Sequence, residues 1–103
     1  MQFPEKGYYY HYKHDPKLDV FNYSYEVIGS AIHSEDEYHV VVYRPLYESD
    51  YSRHVDYCIR PLKMFTGEVM MNGSMIPRFK KITDQKIISK LERVRKVMYG
   101  STQ

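Results

Sequence analysis

The stretch YSYEVIGSAIHSEDEYHVVVYRP, residues 23–45, decides the fold class. It contains two runs rich in β-branched and aromatic residues, 23–33 and 38–44, separated by the acidic segment SEDE. Runs of this kind, bounded by polar turn residues, predict two consecutive strands. Pro45 ends the second run because proline cannot donate a hydrogen bond to a sheet. Gly29 lies in the middle of the first run and indicates a β-bulge or a bend.

The flanking segments extend this pattern in both directions. Residues 8–13 and 57–61 predict two further short strands, and the segment LKMF that follows predicts a single helical turn. Asn72-Gly73 lies between two apolar arms, which predicts a hairpin with a type I′ turn, since both central residues of that turn need positive φ.

A helix is predicted at the C-terminal end of the chain. Thr83 or Asp84 is placed to cap it, and Gly100 to end it. Its apolar residues recur at helical spacing: Ile87, Leu91, Val94 and Met98. Several short strands followed by one helix predict a mainly β fold, a small β-barrel of about five to six strands. We expect a barrel over residues 1–82 and a helix over residues 83–100, packed on the barrel or on a partner, as one domain.

Bulk properties limit the classes of protein that this chain can represent. Its 103 residues suffice for one compact core, and twelve tyrosines carry much of the apolar content. The sequence has no apolar run long enough to span a membrane and no signal-peptide pattern at its start, so we expect a cytoplasmic protein without membrane contact. Cys58 is the single cysteine, which excludes an intrachain disulfide and a metal cage built from cysteines. No cofactor is predicted.

Charge is distributed unevenly along the chain. Residues 1–77 contain seven Lys/Arg and eleven Asp/Glu, whereas residues 78–103 contain eight and two. The basic tail is a candidate surface for a partner or for nucleic acid, with the candidate residues Lys80, Lys81, Lys86, Lys90 and Arg93. The alternative is a solvated face of a helix that is docked on the barrel.

Five ordered motifs carry a family resemblance. They are GYYYHYK, YEVIGSAIHSE, VVYRPLY, IRPLKMF and VMMNGSMIPRF, spread over roughly residues 7–79. Together they resemble the bacterial domain-of-unknown-function family 1653. The resemblance implies an SH3-like small β-barrel and a bacterial or phage source, and it implies no activity. The chain departs from the family pattern at Cys58, where the family usually has Trp, and in a longer loop after Lys13.

The resemblance also changes the interpretation of the first strand. Alternation alone makes one face, with Tyr8, Tyr10 and Tyr12, look buried, and the other face, with Tyr9, His11 and Lys13, look exposed. The family pattern includes Tyr9 and His11 and leaves positions 8 and 10 free. We therefore expect Tyr9 and His11 to face the core or a pocket, and Tyr8 and Tyr10 to face outward.

Aromatic and basic residues from different strands form the main candidate site. Their rings offer stacking planes, and their arginines offer paired donors for carboxylate or phosphate. The candidate ligand-binding residues are Tyr9, His11, His33, Tyr43, Arg44, Arg60 and Arg78. The alternative is an internal network of arginines with Glu26 or with backbone carbonyls that only stabilises the fold.

The sequence gives less support to three other kinds of chemistry: metal binding, nucleophilic catalysis and acid–base catalysis. His11 and His14 have metal-ligand spacing, with Asp15, His33, Glu35 and His39 elsewhere as further donors, but residues three apart on a strand point to opposite faces. Cys58 is better explained as a small buried hydrophobe than as a nucleophile. An enzyme with His11 or His33 as base, and Arg60 or Arg78 holding an anionic substrate, would need these groups to meet in one cleft.

The sequence therefore predicts a non-catalytic β-barrel module that binds a partner protein or a small anionic or planar ligand. A nucleic-acid-associated protein that uses the basic helix is the first alternative. An enzyme acting on a small anionic substrate is the second.

Overall fold

The computed structural model describes residues 2–100 and shows seven strands and a long C-terminal helix. The strands are β1 Gly7–His11, β2 Ser24–Ile32, β3 His39–Pro45, β4 Cys58–Pro61, β5 Glu68–Met71, β6 Ser74–Pro77 and β7 Phe79–Lys81. The helices are a single turn α1, Leu62–Phe65, and α2, Gln85–Tyr99, with a 3-10 turn at Asp50–Ser52. The mainly β class with a C-terminal helix is confirmed.

Five strands form one antiparallel sheet in the order β4-β3-β2-β1-β7, and β5 pairs with β6 in a separate hairpin. Within residues 2–100 no hydrogen-bonded pairing joins β4 to β7, so the sheet is not a closed barrel. The predicted count of five to six strands omitted β7. This three-residue strand pairs with β1, and so short a segment carries no periodicity that a sequence pattern could reveal.

The local features that the sequence predicted are present. The register of β2 against β3 shifts between Val27 and Gly29, which is the predicted bulge. Asn72 and Gly73 have φ of 51° and 81°, as a type I′ turn requires. Asp84 caps α2 by accepting a hydrogen bond from the Lys86 backbone N–H at 2.9 Å, and Gly100 ends the helix with a φ of 86°.

The two faces of the sheet are covered by different clusters. On one face an aromatic core is built from buried residues of several strands and of α1, namely Tyr9, Tyr25, Val27, Val41, Tyr43, Leu62, Phe65 and Phe79. On the other face Leu91 of α2 packs with Leu46 and Ile82, and Tyr8 and Tyr10 pack against this second cluster. Helix α2 therefore docks on the sheet of its own chain.

The expectation for β1 is met on one face only. Tyr9 and His11 are buried at 6% and 9% exposure. Tyr8 and Tyr10, which we expected to face outward, are half-buried beneath α2 because the helix covers the second face of the sheet.

Candidate functional site

The sheet curls far enough to bring its two edge strands into contact. Four strand spacings separate β4 from β7, roughly 19 Å in a flat sheet. Yet the guanidinium carbon of Arg60 in β4 lies 5.3 Å from the ring centroid of Phe79 in β7. Arg60 pairs with Val41, a member of the aromatic core, so it lies on the same face of the sheet as His11. Curling of the sheet therefore places Arg60 beside β1 and β7.

A cleft opens where these residues meet, and we call it the tyrosine cleft. It has a volume of about 560 Å³, within the range of small-molecule sites. Four tyrosines line it, Tyr23, Tyr25, Tyr47 and Tyr51. Three side chains with basic nitrogens line it as well, His11, Lys13 and Arg60. Of the residues within 2–100 that line this cleft, none is acidic.

The guanidinium groups near the cleft lack acceptors. The Nε atoms of Arg60 and Arg78 are buried without a hydrogen-bond partner among the described residues. Neither arginine forms an ion pair with a carboxylate in that part of the chain. Buried polar groups are normally paired, so the unpaired Nε of Arg60, a residue that lines the cleft, is an exception that needs an explanation.

His11 is held in its neutral form. Burial, followed by the nearby charges of Arg60, Lys13 and Arg78, lowers its pKa from 6.5 to about 4. Its Nδ1 accepts a hydrogen bond from the Lys13 backbone N–H at 3.2 Å, which places the proton on Nε2. At neutral pH the ring is therefore a hydrogen-bond donor through Nε2 and a weak base.

The tyrosines supply flat surfaces and hydroxyl groups. The hydroxyls of Tyr25 and Tyr47 are hydrogen-bonded to each other, and burial raises the pKa of both phenols, so both stay protonated. The Tyr23 ring stacks on His11 with ring centroids 5.6 Å apart. Tyr23 also has a φ of 54°, which is rare for a bulky residue. Such backbone conformations concentrate at functional sites.

The remaining predicted site residues lie elsewhere. Tyr9 and Tyr43 belong to the aromatic core, and the Tyr9 hydroxyl donates to the Glu5 carbonyl at 2.8 Å. His33 stacks on Tyr38 beyond the end of β2. Arg44 lies on the face covered by α2 and pairs with Glu26 at 3.0 Å. Of the seven candidates, His11 and Arg60 line the tyrosine cleft, and Arg78 lies near His11 but is not among the described residues that line the cleft.

Several cleft residues are absent from the set that the sequence predicts. Tyr25, Tyr47 and Lys13 belong to the family motifs, and that membership is a signal that could have found them. Tyr23 directly precedes β2, and Tyr51 lies in the polar connection between β3 and β4. No local sequence pattern distinguishes either tyrosine as a site residue. They reach the cleft only through the path of the connections around β2 and β3.

The structure also places the residues considered for nucleophilic catalysis and for metal binding. Burial raises the pKa of the Cys58 thiol, which lowers its reactivity as a nucleophile. Within residues 2–100, no group of three His, Cys, Asp or Glu side chains is placed to hold a metal ion. His14 makes a hydrogen-bonding contact with the Asn22 carbonyl through Nδ1 and stacks on Tyr10 at 3.6 Å.

The predicted basic surface falls on two elements. Lys80 and Lys81 belong to β7, and Lys81 is paired with Glu5 at 2.7 Å. Lys86, Lys90 and Arg93 are exposed on α2, and within the described part of the chain none of these three forms an ion pair.

Within residues 2–100, neither helix has the length and apolar character needed to cross a membrane.

Comparison with known proteins identifies the family. The family model described as a protein of unknown function, DUF1653, matches residues 7–81. The chain belongs to the DUF1653 family. A crystal structure of a DUF1653 protein from Bordetella bronchiseptica is similar, with a TM-score of 0.60 and 28% sequence identity, over 76% of this chain and 86% of that one. A search of the curated proteins finds no match.

The family model covers one part of the chain and not the other. Residues 7–81 include β1 to β7, and with them His11, Arg60 and Arg78. Helix α2 begins at Gln85, beyond the DUF1653 match.

Proposed function

We propose that this DUF1653 protein is a non-catalytic binding module whose tyrosine cleft receives an anionic group carried on a planar or aromatic ligand. The observation that carries the proposal is the Arg60 guanidinium, whose buried Nε has no acceptor among the described residues, in a cleft without acidic residues from that part of the chain. A carboxylate or phosphate would accept from Arg60, and the adjacent rings would stack on the planar part of the ligand.

His11 acts in this proposal as a neutral donor through Nε2. A base with a pKa of about 4 has little driving force for proton abstraction at neutral pH, which supports binding over an enzyme that uses His11 as base. His33, the other candidate base, is not among the residues that line the cleft. The proposal places the module in the cytoplasm, with a small ligand or an exposed segment of a partner protein as its target.

The test is a titration of the ¹⁵N-labelled protein with phenyl phosphate, followed by NMR. We expect saturable shifts at Tyr23, Tyr47 and His11, and binding at least about tenfold weaker in Arg60→Gln, the loss of one charge-assisted hydrogen bond. Benzyl alcohol, which has the ring without the charge, should not bind measurably. Lys96→Gln, at an exposed position of α2 outside the cleft lining, is the matched control. Equal affinity in Arg60→Gln and the wild type would refute the proposal.

A second candidate function rests on α2. Lys86, Lys90 and Arg93 recur at i, i+4 and i+7, so they line one exposed face of the helix. This row of positive charge is suited to neutralising phosphates. This nucleic-acid hypothesis predicts duplex DNA binding that weakens steeply with salt. The triple Gln variant at these positions should lower the slope of log K against log salt by about 1 for each phosphate that is no longer neutralised. Binding to a fluorescent duplex that does not depend on salt, or no binding, would remove this candidate.

A further inference from the structure

A second charged cluster lies on the opposite face of the sheet from the tyrosine cleft. Tyr8, Glu26 and Arg44 are direct cross-strand neighbours on β1, β2 and β3. Helix α2 adds Arg95, which is 8% exposed, above this row. Three charged side chains from three elements are therefore enclosed between the sheet and the helix, and the DUF1653 match does not cover the one that α2 supplies.

This cluster contains more positive than negative charge. Glu26 accepts from Arg44 Nε at 3.0 Å through Oε1, and its Oε2 is 3.6 Å from Arg95 Nε, beyond hydrogen-bond distance. One carboxylate thus faces two guanidinium groups. Among the described residues, Arg44 Nη2 and both Nε and Nη1 of Arg95 are buried without a hydrogen-bond partner.

The positive charges of Arg44 and Arg95 are stabilised to different extents by neighbouring groups. Arg44 has its short bond to Glu26, and its guanidinium carbon lies 4.0 Å from the Tyr99 ring centroid and 5.5 Å from that of Tyr57. Rings at these distances stabilise a cation. For Arg95 the described part of the chain shows no ring at such a distance, and its nearest carboxylate oxygen there is the one at 3.6 Å. The Tyr8 hydroxyl is its polar neighbour: burial raises the pKa of Tyr8, and the interaction with the Arg95 guanidinium partly offsets that rise. The uncompensated charge is therefore concentrated on Arg95.

Arg95 also lines an open cleft, whereas Arg44 does not. The cleft has a volume of about 490 Å³ and lies between β1, β2 and α2. The charged residues that line it are Lys6, Glu26, Glu92 and Arg95. Since Glu26 is already bonded to Arg44, the side chain left to act on a ligand from the floor of this cleft is Arg95, with Lys6 and Glu92 near the opening.

We propose that this cleft, here named the Arg95 cleft, is a second binding site and takes a small oxyanion of the carboxylate or phosphate class. An oxyanion would accept from Arg95 Nε and Nη1, which have no hydrogen-bond partner among residues 2–100, and would balance the second guanidinium charge beside Glu26. Lys6 adds to the attraction and Glu92 opposes it. The site does not depend on the tyrosine cleft, which lies across the sheet and shares no lining residue with it among those described.

The test is an NMR titration with sodium phosphate at constant ionic strength, repeated with sodium acetate to separate the two oxyanions. We expect saturable shifts at Gly7, Tyr8 and Ile28 with at least one of them. Because Lys6 and Glu92 are exposed, Lys6→Gln and Glu92→Gln should fold normally. Lys6→Gln should bind about two- to fivefold more weakly and Glu92→Gln more tightly by a similar factor, the size expected for one exposed charge. Lys63→Gln, at an exposed position that is not among the described residues lining this cleft, should leave the affinity unchanged.

Two results would overturn the proposal. The first is the absence of saturable shifts around the Arg95 cleft with both salts. The second is equal affinity in Lys6→Gln, Glu92→Gln and the wild type, which would show that the ion binds away from this cleft. Arg95→Gln, provided its thermal unfolding stays cooperative, should abolish the shifts, and shifts that persist in it would count against the site.

Discussion

His11 shows how the position of one side chain in the sheet determines its chemistry. It lies at the end of β1, pairs with Phe79 of β7 and is enclosed by aromatic rings, among them Tyr23. Arg60 and Lys13 add positive charge beside it, so protonating the ring is doubly unfavourable. His11 therefore stays neutral at pH values well below 6.5, the ordinary pKa of a histidine.

This neutral state has a consequence for stability. The unfolded chain takes up a proton on His11 near pH 6.5, whereas the folded protein does so near pH 4, so the unfolded state binds more protons between these values. The contribution of His11 therefore leaves stability unchanged above about pH 6.5 and lowers it as the pH falls toward 4. We expect the free energy of unfolding to drop less between pH 7 and pH 5 in His11→Gln than in the wild type.

Urea denaturation at pH 7 and at pH 5 measures this difference within each variant, so any general destabilisation by the substitution cancels. His54→Gln is the matched control, because His54 is exposed. Parallel losses of stability in His11→Gln, His54→Gln and the wild type would show that His11 titrates normally in the folded protein.

At the scale of elements, the β5–β6 hairpin is the clearest case of local control. Its turn is made by Asn72 and Gly73, both with positive φ, and no neighbouring atom lies within 4 Å of a Cβ built at position 73. The glycine is therefore required by the backbone conformation and not by space. The opposite holds at Gly67, where a Cβ would lie 2.8 Å from the Lys63 carbonyl oxygen.

Gly73→Ala should destabilise the protein by roughly 1–2 kcal/mol, the cost of a left-handed conformation for a residue with a Cβ. Gly29→Ala is the control, because Gly29 lies in β2 with a φ outside the left-handed region, and a Cβ there would meet only the Lys6 side chain, at 3.9 Å. Chemical denaturation of both variants measures the difference. Equal stabilities would mean that the hairpin turn does not adopt this conformation in solution.

At the scale of the whole molecule, α2 joins residues from distant parts of the chain into the second cluster. Leu91 is fully buried against Leu46 and Ile82, and the Tyr99 hydroxyl donates to the Pro45 carbonyl. The helix thereby covers the face of the sheet that Tyr8 and Tyr10 occupy. It also encloses Arg44 and Arg95 around Glu26, so docking of the helix creates the Arg95 cleft.

Leu91→Ala should lower the free energy of unfolding by roughly 2–5 kcal/mol, because it leaves a cavity between α2 and the sheet. Val97→Ala on the same helix should change it by less than about 0.5 kcal/mol, since Val97 is 85% exposed. Thermal or urea unfolding distinguishes the two. A Leu91→Ala variant as stable as Val97→Ala would indicate that α2 does not pack on its own sheet in solution.

Much of the fold follows from interactions between residues close together in the chain. The bulge at Gly29, the Asn72-Gly73 turn, the Asp84 cap and the end of α2 at Gly100 each depend on the preferences of one or two residues. These features were predictable, and so was the burial of Tyr9 and His11 once the family motifs were recognised. The short strand β7 was not, because its identity depends on pairing with β1.

The sequence by itself determined the mainly β class, the family, the turns and the limits of the helix, because local conformational preferences govern the class, the turns and the helix ends, and the ordered motifs mark the family. Only the tertiary structure decided which side chains meet. The curl of the sheet brings Arg60 of β4 over Phe79 of β7 and beside His11, and it leaves Arg44 and His33 elsewhere. These tertiary contacts depend on sheet twist, strand register and helix docking. The whole chain sets these features together, so no single segment of the sequence reveals them.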